Sequence, residues 1–241
     1  MKLPVLLLIL LGPGLCLTPA CNRPVGNEPV ATSQPAKAPN SRKIVEFAPG
    51  MRIDYRVPQV EIDGEVILRE GALELFAYAK APTPKEHESI VLLRTPPHAI
   101  YQALGLVGLT PGHPMKYLPE VKKIRPPTGD PVDVFVRYQK NGRTVEESAC
   151  DWMFDMEKKG PMARTHWIFT GSERLDDGNF AADMDGTVVT VVDFDSSLAA
   201  LPDLHSDSDA ELWLKANTAA IPPVGTSVVL LLRPVAEQGK R

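Results

Sequence analysis

Cysteine is nearly missing from this chain of 241 residues, which carries only Cys16, Cys21 and Cys150. Cys16 lies in an N-terminal apolar segment, so a folded domain downstream keeps Cys150 alone. That excludes a disulfide framework, a cysteine-ligated iron–sulfur cluster and a cysteine-rich zinc site. A lone Cys150 reads as a buried small apolar residue rather than a nucleophile. Excess positive charge is also lacking. Twenty-six Lys and Arg face 30 Asp and Glu, for a net charge of −4, which argues against a nucleic-acid partner. No glycine-rich phosphate loop and no serine nucleophile elbow occurs. No long internal repeat is present. The one long apolar run, "VLLLILLGPGLCL" (5–17), is broken by Gly12, Pro13 and Gly14. It is too short to span a bilayer comfortably, since a spanning helix needs roughly 20 apolar residues.

That run follows Lys2 and precedes "LTPAC", so residues 1–20 read as an export leader. Thr18 and Ala20 have the spacing an ordinary signal peptidase reads, and cleavage there leaves Cys21 as the first mature residue. Cys21 is also where a bacterial lipoprotein carries its lipid, although Leu17 stands one residue too far away for a standard lipobox. Both readings cut the same bond. The following stretch to residue 43 is rich in Pro, Ala, Asn and Ser and reads as a disordered tether. The expected organisation is a leader, a lipid-bearing Cys21 with its tether, one domain over 44–235 and a tail over 236–241. The expected place is the cell envelope, with the membrane as a partner through the anchor.

The domain is written in short apolar runs bounded by Pro and Gly. "QVEIDGEVIL" is expected to be a hairpin turning on Asp63-Gly64, and "PVDVFVRYQKNGRTVEES" one turning on Asn141-Gly142. In the second, Val132, Val134, Val136 and Tyr138 share a face at period two. "THWIFTGS", "GTVVTVVDF" and "TSVVLLLRP" are further strands. One main helix is expected over about 96–107, capped by Thr95, buried along Ile100, Ala103, Leu104 and Val107 and ended by Gly108. A second is expected over about 209–216. Antiparallel strands plus one or two helices imply a single α+β domain.

"VEIDGEVILREGALELFAYAK", "KEHESIV", "HAIYQALGLVGLTPGHP", "PPTGDPVDVFV", "HWIFTGS" and "IPPVGTSVVLLL" follow one another in an order that resembles the YdjY-domain family. The resemblance runs from about residue 52 to 234. It implies one exported bacterial domain with no assigned activity. Some members of that family carry cysteine clusters and are called ferredoxin-like. With only Cys150 in its folded part, this chain departs from them, and no electron-transfer role carries over.

The residues that could carry chemistry are few. "KEHE" (85–88) sets His87 beside Glu88, a pair able to ligate a metal or to act as a base and its orienting group. Strand alternation splits the four charges between two faces, so His87 needs partners from elsewhere. His113 in "TPGHP", His166 in "HWIF" and His98 at the helix start are the candidates. Together His87, Glu88, His113 and His166 suit zinc or a similar divalent ion, yet no two histidines have a helical H-x-x-x-H spacing. "ADMDGTVV" contains the D-x-D-G-T string of a phosphotransfer nucleophile, at Asp183 and Asp185. It follows no buried strand, and Asp185-Gly186 reads as a hairpin turn. "DLHSDSDAE" reads as a solvated loop rather than a calcium loop, and Trp152, Trp167 and Trp213 as core anchors. The leading expectation is a binding module for a protein or small molecule, without catalysis or cofactor. The alternative is a metal-dependent exported enzyme.

Overall fold

Alternation builds the walls of this protein. In strand Pro131–Lys140, Val132, Val134, Val136 and Tyr138 all point inward and are buried. The chain then turns on Asn141 (φ 53°) and Gly142 (φ 75°), so that Lys140 faces Arg143 across the hairpin. Two successive positive φ values are what a type I′ turn needs. Strand Ser227–Pro234 lies on the other side of Pro131–Lys140 and buries Val228, Leu230 and Leu232 by the same rule.

The computed structural model describes residues 43–235. The leader, Cys21, nearly all of the tether and the tail lie outside the described residues. Eight strands close on themselves. The ring runs Gln59–Val66, Ser227–Pro234, Pro131–Lys140, Trp167–Phe169, Ala199–Ala200, Thr187–Thr190, Leu75–Ala79 and Ser89–Leu93, then returns to Gln59–Val66. Two of these pairings are parallel, Thr187–Thr190 with Ala199–Ala200 and Leu75–Ala79 with Ser89–Leu93. Ile44–Ala48, Met51–Asp54 and Arg143–Ser148 extend the sheet beyond the ring. Side chains such as Val60, Ile62, Val134, Leu230, Trp167 and Phe169 fill the interior, so the barrel is a packed core rather than a channel.

The fold is therefore a β-barrel, and the expected α+β class is wrong. Two α-helices are present among the described residues, Pro97–Leu106 and the single turn Ala181–Asp185. The first lies where expected, with Ile100, Ala103 and Leu104 in the core and Gly108 (φ 95°) after its end. Its cap differs. Thr95 Oγ1 donates to the Pro49 carbonyl (3.2 Å), leaving the helix no cap from its own chain segment. Asp183 takes that place: its carboxylate accepts the His98 backbone N–H (3.0 Å) and approaches His98 Nδ1 (2.9 Å). A negative group there meets the positive end of the helix dipole, so the D-x-D-G-T string serves as scaffold. Asp185-Gly186 ends the short second helix with Gly186 left-handed (φ 75°) and is no hairpin turn.

Two other expectations fail locally. Gln59–Val66 runs straight through Asp63-Gly64 as one strand. Gly64 is there because strand Ser89–Leu93 passes close: a Cβ would lie 2.9 Å from the Leu92 carbonyl oxygen. The expected helix over 209–216 is a short 3₁₀ turn, Asp209–Glu211, followed by strand Leu214–Ala216. Leu214 and Ala216 are buried and Lys215 is exposed, which is period two, and the strand pairs with Met153–Asp155.

The outer wall carries an ionic ladder across five strands. Arg52 grips Asp63 through two hydrogen bonds (2.7 and 3.2 Å), and Arg137 reaches Glu61 (3.0 Å) and Glu146 (3.4 Å). Arg233 grips Glu146 (2.7 and 2.9 Å) and Gln59 (2.6 Å).

Candidate functional site

The polar residues that could meet a ligand collect in two adjoining hollows beside the barrel strands. Three segments quoted above for the family resemblance converge there. Pro111 pairs with Gly129 and His113 with Thr128. The Thr110 N–H donates to Asp130 Oδ2 (2.7 Å), and the Phe169 N–H donates to the Asp130 carbonyl (2.9 Å). Gly129, at φ 146°, lies so close to Phe169 that any Cβ would sit 2.0 Å from its carbonyl oxygen. Backbone thus rests directly on backbone, and the loops are held without a flexible side chain between them.

On this frame sit two adjoining hollows. One of about 100 Å³ is lined by His113, Lys116, Arg125, Ser172, Glu173 and Asp195. A cleft of about 300 Å³ shares Met115, Lys116 and Asp195 with it and adds Tyr117, Asp193, Phe194 and Asp207. Lys116 and Glu173 form an ion pair. Ser172 holds a left-handed backbone (φ 66°), and its Oγ accepts the Ala182 N–H (3.0 Å). The carbonyl of Pro114 can only accept, so His113 Nδ1 (3.0 Å away) donates to it and leaves Nε2 free to accept from a neutral ring.

Electrostatics single out Asp193. Burial, helped by Asp207, pushes its carboxyl up to about 6, against the His205 N–H that it accepts (2.7 Å). Burial also lowers His205, whose ring stacks on Trp213 with 4.2 Å between centroids. The folded chain therefore holds the Asp193 proton more firmly than the unfolded chain. That contribution to stability is fully present below about pH 3.8 and is lost as pH rises through about 6. Asp193→Asn keeps an acceptor for His205 without the charge. We expect it to melt roughly 3 °C above the parent at pH 8, a figure reduced for solvent screening, and level with it at pH 4. An equal offset at both pH values in a thermal melt removes Asp193 as the cause.

"KEHE" finds its place beside this cleft. The nine residues 80–88 return the chain from Leu75–Ala79 so that Ser89–Leu93 runs parallel to it, which sets Glu88 next to Glu74. Lys85 Nζ bridges them, 2.5 Å from Glu88 and 3.3 Å from Glu74, and lies 4.7 Å from the ring centroid of Phe194. Burial and the Glu88 charge raise the Glu74 carboxyl. Burial, which acts to lower the Lys85 amine, is outweighed by the hydrogen bond and charge of Glu88 and by Glu74. The stretch leads into a buried strand, as expected, but the residue that organises it is Lys85 rather than His87.

The four residues picked from sequence do not gather into one site; only His87 and Glu88 meet. The His87 side chain is 77 % exposed, with Nε2 3.5 Å from Glu88. His113 lines the small hollow, and His166 faces Asp133 (2.5 Å) on the barrel wall. Among the described residues no group of three or more His, Cys, Asp or Glu gathers as metal ligands would. Cys150 is buried, as are Trp152 and Trp167, and Trp213 is half-buried. Sequence reasoning missed Lys116, Glu173, Asp193 and Asp195: the first two directly follow "TPGHPM" and "FTGS", whereas Asp193 lies in the expected strand "GTVVTVVDF" and Asp195 just after it, with no local pattern to mark them. A larger groove of about 730 Å³ on the outer wall includes Asp63, Arg94, Arg137 and Thr144. Asp63 and Arg137 are already bound into the ionic ladder, which leaves that groove less to offer a ligand.

Neither a search of curated proteins nor one of solved structures returned a match. A family model, described as YdjY domain, matches residues 51–233. That span takes in every strand of the ring up to the last residue of Ser227–Pro234, leaving out the added strand Ile44–Ala48, and the chain belongs to the YdjY-domain family.

Proposed function

We propose that this protein is a binding module of the cell envelope, exported by its leader, held by lipid at Cys21 and recognising a small polar ligand at the cleft around Lys116 and Asp195. The observation that carries the binding role is the pairing of opposite charges on a rigid frame. Lys116 and Arg125, on the hairpin Lys116–Leu118/Lys123–Arg125, stand within the same small hollow as Glu173 and Asp195, beside loops fixed by backbone contact at Gly129. Side chains tied in this way keep their geometry but are poor free bases, which suits recognition better than proton transfer. Meeting both signs at once, the cleft favours a zwitterion such as an amino acid or a short peptide.

Two measurements test it. A thermal-shift screen against free amino acids and dipeptides should find a compound that raises Tm by roughly 5 °C or more near a hundredfold excess over its Kd. The effect should vanish in Arg125→Gln/Asp195→Asn. A flat screen removes the cleft as the site. For the anchor, Cys21→Ala should release the protein from membranes washed at high salt, which strips chains held only by surface charge, and unchanged association with salt-washed membranes rules out lipid at that position.

A further inference from the structure

We propose that the hairpin Lys116–Leu118/Lys123–Arg125 docks onto an anionic bilayer, placing its apolar side chains at headgroup level. These two strands pair only with each other and stand apart from the barrel sheet. Tyr117 (55 % exposed) faces Ile124 (50 %) across the pair, and Val121 (54 %) lies in the turn between the strands. Three large apolar side chains within eight residues are therefore left half open to solvent. Cross-strand neighbours lie on one face, so Tyr117 and Ile124 form a joint patch with an amphipathic ring of the kind that settles at a membrane interface.

Charge decides the occupant. Lys116 is neutralised by Glu173, which leaves Lys122, Lys123 and Arg125, all exposed, against the single Glu120. The hairpin is thus positive in a chain of net charge −4. Basic side chains flanking exposed apolar ones match a surface that is anionic outside and apolar beneath. Tyr117 also lines the 300 Å³ cleft, so docking brings the rim of that cleft to the headgroups.

The experiment uses the chain from Asn22 onward, without lipid, because residues 43–235 close their own barrel around one core. It should sediment with phosphatidylcholine vesicles containing about 30 % phosphatidylglycerol and stay in solution with phosphatidylcholine alone. Lys122→Gln/Lys123→Gln should lower the partition coefficient roughly 30-fold, at about 1 kcal/mol for each basic residue near the surface. Val121→Ser/Ile124→Ser should weaken binding to the same vesicles about tenfold or more. Both double variants alter exposed positions and should melt like the parent. Equal binding to neutral and anionic vesicles overturns the proposal. So does absence of binding to both, the result expected if an acidic protein covers the hairpin, and so does full binding by either variant. Failure here leaves the cleft untouched, and the Cys21→Ala fractionation is independent of the hairpin.

Discussion

Gly129→Ala is expected to cost more than about 4 kcal/mol, which places it among the rare severe substitutions. A new Cβ would lie 2.0 Å from the Phe169 carbonyl oxygen and 2.7 Å from its carbon, both backbone atoms of a barrel strand. No side chain can swing aside to relieve the contact. A φ of 146° adds strain of its own, since it lies outside the range a side chain tolerates. Against a total stability of roughly 5–15 kcal/mol, the variant should be recovered mostly insoluble or melt more than about 10 °C below the parent. Gly178→Ala is the control, because Gly178 also has a positive φ (84°) but nothing within 4 Å of a Cβ. It should lose only about 1–2 kcal/mol. If the two variants melt alike, the three loops do not meet at Gly129.

Trp152→Ala carries the second large effect, at about 3–5 kcal/mol. The ring is fully buried between Phe76 (6.1 Å between centroids) and Tyr138 (5.5 Å, edge-on). Its Nε1–H donates to Glu147 Oε2 (2.9 Å), an oxygen that also accepts from Tyr138 Oη (3.0 Å). Alanine leaves a hole and removes a donor from a partly buried carboxylate. Trp152→Phe separates the two losses. It keeps most of the packing and still leaves Glu147 with Tyr138 and Lys140, so it should cost only about 1–2 kcal/mol. Urea titration checks both, and a Trp152→Phe loss equal to that of alanine would show the hydrogen bond to dominate over the packing.

What could be read from the string followed the range of the interaction responsible. Val132 to Tyr138 announced a strand because alternation is local, and Asn141-Gly142 announced its turn because two positive φ values are needed there. Ile100, Ala103 and Leu104 announced a helix for the same reason. Gly64 and Gly186 misled. Each follows an aspartate, the composition of a hairpin turn, but Gly64 answers to a strand crossing from 28 residues away, at Leu92, and Gly186 to the end of a helix. Closure of the barrel depends on two parallel pairings made by short strands, which leave no periodic trace. The site was half legible. His113 was selected for its proline-braced loop and does line a hollow, whereas His87 was selected for its charged neighbours and points into solvent. Lys116, Asp193 and Asp195 are ordinary surface residues in sequence. Only the fold brings them to one cleft.

Ser227–Pro234 is the last strand among the described residues, yet it lies between Gln59–Val66 and Pro131–Lys140, in the middle of the longest pairings. A chain emerging from the ribosome, or crossing a membrane in extended form, therefore has no way to seal the barrel until almost every residue has arrived. Its contacts join residues some 170 positions apart, as between Val60 and Leu232, and topologies of that kind fold slowly. Until the end comes through, the edges of Gln59–Val66 and Pro131–Lys140 stay open to wrong partners. Folding is timed by the C-terminal strand. Truncation just before Ser227 should produce a form that remains unfolded and open to chaperones or proteases, although nearly the whole cleft has already been synthesised.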